Sequence, residues 1–214
     1  MNVSMSDDGN TKRIILCYGS STTWGYSPQS GSRFDENTRW PCVMLSDLGA
    51  LFEVIEEGYS GRTVLDHIPG ENSANGLQYL EGLLDRVFFD IIIIFLGIND
   101  LFADREIPVK KIAGGIEKMI HRIKFKCPGK EIVIVAPPQI HEDFEEAYLY
   151  QIEILKSKQI YHEYKHIAAL NGCQFADAGK VVSSSPLDGV HLEGKEQIKF
   201  GHYMADFIRL TLNL

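Results

Sequence analysis

What the chain lacks narrows its class first. Of its 214 residues only 21 are Lys or Arg, against 29 Asp or Glu, so the formal net charge is −8. No run of basic residues offsets this, and the one cluster, Arg122, Lys124 and Lys126, has the spacing of a solvated helix end. Phosphate backbones are held by Lys and Arg, so nucleic acid is excluded as a general partner. Cysteine is scarce. Cys17, Cys42, Cys127 and Cys173 stand far apart with no C-x-x-C pair, which leaves neither a zinc site nor a redox motif and fits reduced thiols in the cytoplasm. The polar opening, residues 1–12, has none of the apolar stretch of roughly 7–15 residues that a secretory signal needs. The longest apolar run, residues 91–98, falls far short of the ~20 residues that span a bilayer. Internal repeats, low-complexity tracts and linker-like shifts in composition are missing too. The expectation is one domain over residues 13–214 behind a polar tail, residues 1–12, in the cytoplasm and without a membrane partner.

What is present alternates between two periods. Hydrophobic residues make up 44% and charged residues 23%, the balance of a globular chain long enough for one substantial core. Short apolar runs predict strands at residues 13–18, 52–57, 90–96, 131–135 and 173–177. The third is the clearest, because consecutive isoleucines suit a strand buried on both faces. Helical spacing of apolar residues predicts helices at 39–51, 75–87, 107–126, 144–170 and 194–210. Pro108 is expected in the first turn of the third helix, and the fourth is long enough to be broken. Strands separated by helices imply right-handed crossovers and a parallel sheet covered on both faces. In such sheets the working residues gather at the carboxyl ends of the strands.

The strand ends are chemically distinctive. The first strand runs into Gly19-Ser20-Ser21-Thr22-Thr23-Trp24-Gly25, the second into Gly58-Tyr59-Ser60-Gly61-Arg62-Thr63, and the third into Gly97-Ile98-Asn99-Asp100. After the fifth comes Asp188-Gly189-Val190-His191. A serine hydroxyl needs a base to take its proton, and histidine serves near neutrality with an unperturbed pKa of ~6.5. A carboxylate must hold the imidazole in the right tautomer. Asp188 and His191 lie close enough for one loop to deliver both. A tetrahedral intermediate then needs donors for its oxyanion, and the N–H groups of Ser21 and Gly61 with the Asn99 side-chain amide are the candidates.

In these four blocks the chain resembles the SGNH (GDSL-like) hydrolases. The first block is similar to the segment carrying that family's nucleophile. The second is similar to the one whose glycine supplies an oxyanion N–H. The third matches G-x-N-D, whose Asn is a further oxyanion donor, and the last matches D-x-x-H. All four stand in the family's order. Leu16-Cys17-Tyr18-Gly19, the 33–40 segment and residues 52–58 also resemble the arylesterase and acyltransferase (perhydrolase) branch. The resemblance implies a flavodoxin-like three-layer α/β/α sandwich with a five-stranded parallel sheet, and a small-molecule ester as substrate. It further implies short-chain or aryl ester hydrolysis through an acyl-enzyme, acyl transfer as a further activity, no metal or organic cofactor, and a homo-oligomer. Ser21, Asp188 and His191 would be the triad, and Ser21, Gly61 and Asn99 the oxyanion hole. Trp24 and Ile98 are candidates for the substrate pocket, with a core role for Trp24 the alternative.

One departure stands out: the family's Asp before the nucleophile is Ser20 here. Register with Thr23-Trp24-Gly25 favours Ser21 over Ser20 as nucleophile. Two rival readings remain. The same triad serves carbohydrate O-acetyl esterases, and the Ser20 departure suits a non-catalytic ligand-binding protein on a hydrolase fold. His162 and His166 share a helix face but lack H-E-x-x-H, and Gly19 opens no phosphate loop because G-K-[ST] is missing. No G-x-S-x-G elbow of an α/β-hydrolase occurs.

Overall fold

Alternation of side chains along each strand sorts the apolar residues into two layers. The computed structural model describes residues 12–66 and 74–212, so nearly all of the expected polar tail lies outside the described residues. Its strands are β1 (Arg13–Gly19), β2 (Phe52–Gly58), β3 (Ile91–Phe95), β4 (Glu131–Ala136) and β5 (Gln174–Asp177). They form one parallel sheet in the order β2-β1-β3-β4-β5. The flavodoxin-like α/β/α architecture expected from the sequence is therefore the one found.

β3 is the middle strand, and all five of its residues are buried. Ile92 and Ile94 join Leu16, Tyr18, Ile132 and Ile134 on one face. Ile91 and Ile93 join Ile15, Cys17, Val133 and Val135 on the other. Burying each such side chain contributes about 1.5–3 kcal/mol.

The helices are α1 (Ser21–Trp24), α2 (Trp40–Leu48), α3 (Gly76–Leu83), α4 (Ile98–Ala103), α5 (Val109–Lys126), α6 (Gln151–Leu170) and α7 (Gly194–Leu212). Leu80 of α3, Ile116 of α5 and Tyr164 of α6 cover the first face. Trp40 and Met44 of α2, with Phe200 and Met204 of α7, cover the second.

Three details sharpen the sequence expectation. Pro108 caps α5 from outside, with φ −69° and ψ 137°, instead of sitting in its first turn. The expected 144–170 helix is broken: a 3-10 turn at Ala147–Leu149 precedes α6. The Asn99 segment, assigned no element from the sequence, is the short helix α4. Gly97 makes that last turn feasible. Its φ is 122°, and a Cβ there would lie 2.2 Å from the Tyr164 hydroxyl.

The chain leaves β1 for β2 at one edge, then crosses back to β3 on the other side of β1. The carboxyl ends of β1 and β3 therefore flank the switch point of the sheet, where ligand crevices form in open α/β sheets. Ser21 follows β1 and Asn99 follows β3.

Candidate active site

β1 ends at Gly19, and the chain turns at once into α1. The Trp24 N–H donates to the Ser20 carbonyl at 2.9 Å and the Gly25 N–H to the Ser21 carbonyl at 2.9 Å. Ser in place of Asp at position 20 has not undone this turn. Ser21 heads it, only 6% exposed.

Two distant residues fasten the turn. Gln197 of α7, fully buried, donates through Nε2 to the Thr22 carbonyl at 3.0 Å and accepts the Trp40 N–H at 3.1 Å. Arg62, 1% exposed, donates to the Gly19 carbonyl at 3.1 Å. Its guanidinium lies 4.5 Å from the Tyr18 ring centre and 4.7 Å from that of Tyr79. A buried guanidinium needs such hydrogen bonds and π faces to offset its lost hydration.

The Ser21 hydroxyl lies 2.8 Å from His191 Nε2, and His191 Nδ1 lies 2.7 Å from Asp188 Oδ2. Asp188 Oδ1 accepts the N–H groups of Val190 at 2.9 Å and His191 at 3.0 Å. Burial pushes the Asp188 carboxyl up. The hydrogen bond from the His191 ring, with those from the backbone, outweighs that push and holds the group below the ordinary carboxylate range. The carboxylate thus stays charged and orients the ring, which leaves Nε2 aimed at Ser21. The loop itself is anchored where the His141 N–H donates to the Gly189 carbonyl at 2.8 Å and the Ser184 hydroxyl to the Gln139 carbonyl at 2.9 Å.

A narrow cleft of about 20 Å³ opens beside Ser21, lined by Ser20, Ser21, Thr22, Phe95, Leu96, Ile98, Asn99, Pro137, Pro138 and Val190. Ile98 and Asn99 thus lie beside Ser21. Asn99 Nδ2 also donates to the Arg62 carbonyl at 2.9 Å, which fixes the amide and ties the α4 start to the loop after β2. Gly61 is in that loop, exposed, with φ 81°. Trp24 is not among the cleft residues. Its ring carries the Arg33 guanidinium at 5.6 Å, and its carbonyl accepts Arg33 Nε at 2.7 Å. Asp100 is fully buried and accepts the N–H groups of Val64 at 2.8 Å and Leu65 at 3.0 Å.

Sequence reasoning left out Pro137 and Pro138, which follow β4 and wall the cleft. The strand-end rule that singled out the other blocks would have found them had it been extended to the fourth strand. Gln197 and Arg62 carried no comparable signal, since each looks like an ordinary polar residue until its burial is known.

A Ser–His–Asp hydrogen-bond chain at the switch point of a three-layer α/β/α sheet is the arrangement of a serine hydrolase. The sequence agrees with the geometry: residues 17–198 match the GDSL-like Lipase/Acylhydrolase family, and the chain belongs to that family. Among solved structures it is similar to Est24, a carbohydrate acetylesterase from Sinorhizobium meliloti, with 30% identity and a TM-score of 0.84 over 94% of this chain and all (100%) of that one. It is equally similar to the aryl esterase of M. smegmatis, with 30% identity and a TM-score of 0.84 over 92% of this chain and 99% of that one. An arylesterase from Vibrio mimicus is 29% identical over 122 residues, which are 57% of this chain and 53% of the relative's length. Among the described residues no helix is long and apolar enough to cross a membrane.

Proposed function

We propose that the chain hydrolyses short-chain carboxylic esters through an acyl-enzyme on Ser21. The observation that carries this reading is the unbroken Ser21–His191–Asp188 hydrogen-bond chain at the switch-point cleft. His191 takes the Ser21 proton as the hydroxyl attacks the carbonyl, then returns it to the leaving alcohol. Water, deprotonated by the same imidazole, releases the acid. An alcohol in place of that water would give acyl transfer instead. Oxyanion charge rests on the N–H groups of Ser21 and Gly61 and on the Asn99 amide. The cleft beside Ser21 is about 20 Å³, room for a water or an acetyl methyl. That size supports acetyl over long acyl groups.

Hydrolysis of p-nitrophenyl acetate against the octanoate, wild type beside Ser21→Ala, tests the assignment. Rapid acetate turnover, weak octanoate turnover and loss of both in the variant are expected. Full activity in Ser21→Ala would sink it. Absence of turnover and of fluorophosphonate labelling in the wild type would favour a non-catalytic binding protein, with Ser20 as the cause.

One further feature favours a carbohydrate O-acetyl ester as the substrate. A polar cleft of about 580 Å³, bounded by Lys158, His162, Asp177 and Lys180, shares its Pro137 and Pro138 wall with the cleft at Ser21. Such a lining suits a polyhydroxylated alcohol. Competition between acetylated sugars and aryl acetates separates the two substrate classes. The four free thiols fit a reducing cytoplasm. Exposed Tyr148, Leu149 and Leu155 fit burial in a homo-oligomer.

A further inference from the structure

The imidazole of His191 has a third neighbour besides Asp188 and Ser21. The ring of Tyr26 lies against it, with centroids 4.2 Å apart and planes inclined by 37°. We propose that Tyr26 is a positioning residue for His191, holding the imidazole on the Ser21–Asp188 line and offering a π face to the imidazolium that forms in each half-reaction. This rests on the triad reading above.

The placement of Tyr26 follows from the local fold. Gly25 adopts φ 91° at the end of α1, and the Tyr26 N–H donates to the Ser21 carbonyl at 3.0 Å. The tyrosine is therefore tied to the backbone of the same residue whose hydroxyl faces His191. Beyond it the chain folds back: Tyr26 bridges to Arg33 in antiparallel fashion, and the Phe34 N–H donates to the Gly25 carbonyl at 2.7 Å.

That return is pinned from outside. Arg33 and Arg39 converge on Glu56 of β2, at 3.3 Å and 2.9 Å, and Arg39 also donates to the Phe34 carbonyl at 2.9 Å. A half-buried ring on so fixed a hairpin restricts rotation of the imidazole it touches. Asp188 constrains the ring only at Nδ1, whereas contact with its face resists tilting about that bond. A cation within about 6 Å of an aromatic centroid is also stabilised by the ring quadrupole.

The test compares wild type, Tyr26→Phe, Tyr26→Leu and Ser21→Ala with p-nitrophenyl acetate, reading kcat, KM, melting temperature and the rate of fluorophosphonate labelling. Tyr26→Phe keeps the ring and stays within about twofold of wild type, whereas Tyr26→Leu loses about tenfold in kcat with KM held. Labelling should slow in step with kcat, because it too depends on proton abstraction by His191. Wild-type kcat in Tyr26→Leu overturns the proposal. So does an equal loss in Tyr26→Phe, which would point to the hydroxyl, or a rise in KM alone, which would make Tyr26 a pocket wall.

If Tyr26→Leu fails to fold, Arg33→Met carries the test from outside the site. It should lower kcat and the labelling rate about two- to fivefold by loosening the hairpin, and unchanged values would overturn the proposal. Retained activity in Ser21→Ala would instead remove the triad reading itself, whatever Tyr26 does.

Discussion

Replacing Asp188 by Asn removes one charge and almost no volume, so its effect can be worked out from hydrogen bonds. In the native loop Oδ1 accepts two backbone N–H groups, at 2.9 and 3.0 Å, and Oδ2 faces His191 Nδ1 at 2.7 Å. An amide has one acceptor oxygen. If that oxygen faces Nδ1, its NH2 confronts the N–H groups of Val190 and His191, and both bonds are lost. If the oxygen stays on the backbone, the NH2 faces Nδ1, and the imidazole must carry its proton on Nε2. The second arrangement keeps every group paired. Two lost bonds at about 1 kcal/mol each favour it by about 2 kcal/mol, roughly thirtyfold. In that tautomer Nε2 cannot accept the Ser21 proton.

The remaining productive fraction also lacks the carboxylate that stabilises the imidazolium, a further loss of about 1.5–3 kcal/mol for a hydrogen bond to a charged group. Together, at about 3.5–5 kcal/mol, these lower kcat by roughly 400- to 5000-fold. The fold should survive, because both backbone bonds are retained. The assay is kcat for p-nitrophenyl acetate beside a thermal melt. An Asp188→Asn variant that melts like wild type and keeps more than about a tenth of its kcat would refute the reasoning.

Two further outcomes concern residues of β2. Gly58→Ala places a Cβ 2.2 Å from the Trp24 nitrogen and 2.6 Å from its Cα, so backbone must part from backbone. Overpacking of about 1–3 kcal/mol or more should lower the melting temperature by several degrees and cut activity with it, and an unchanged melt would contradict the close approach. For Glu56, burial pushes the carboxyl up, but the hydrogen bonds and charge of Arg39, together with Cys42 and Arg33, outweigh it, and the net shift is downward. A group lowered in the folded state contributes stability above its unfolded pKa and loses it as pH falls through the folded value. Glu56→Gln should therefore melt below wild type at pH 7, with the gap closing below about pH 4. A gap that persists undiminished at pH 3 would mean that the ion pair is not its origin.

Much of the fold was legible because strand and helix periods are local properties. Four isoleucines in β3 announce a strand covered on both sides without reference to any neighbour. The blocks at Ser21, Asn99 and Asp188–His191 were legible for another reason: parallel sheets collect functional side chains at strand ends, so position along the chain predicts position in space. Helix boundaries were less accessible. Pro108 lies outside α5 because its φ suits the cap as well as the first turn, and the break before α6 depends on Phe144 and Ala147 packing into the core. Trp24 shows the limit for single side chains. Its sequence position beside the nucleophile says nothing of the arginine that covers its ring.

By itself the sequence determined the order of the five strands and the longer helices, the two faces of each inner strand, and the residue types a serine esterase needs at the strand ends. Register already favoured Ser21 over Ser20, but only tertiary structure brings Ser21 to the imidazole, since Ser21 and His191 are 170 residues apart and their 2.8 Å contact depends on strand order and on how tightly α1 turns. It also decided that Gln197 and Arg62 fasten the Ser21 turn and that the Tyr26 ring lies against the imidazole. The reason is physical: periodicity and turn preference act over a few residues. The partner of a buried polar or aromatic side chain is chosen by packing between segments distant in sequence.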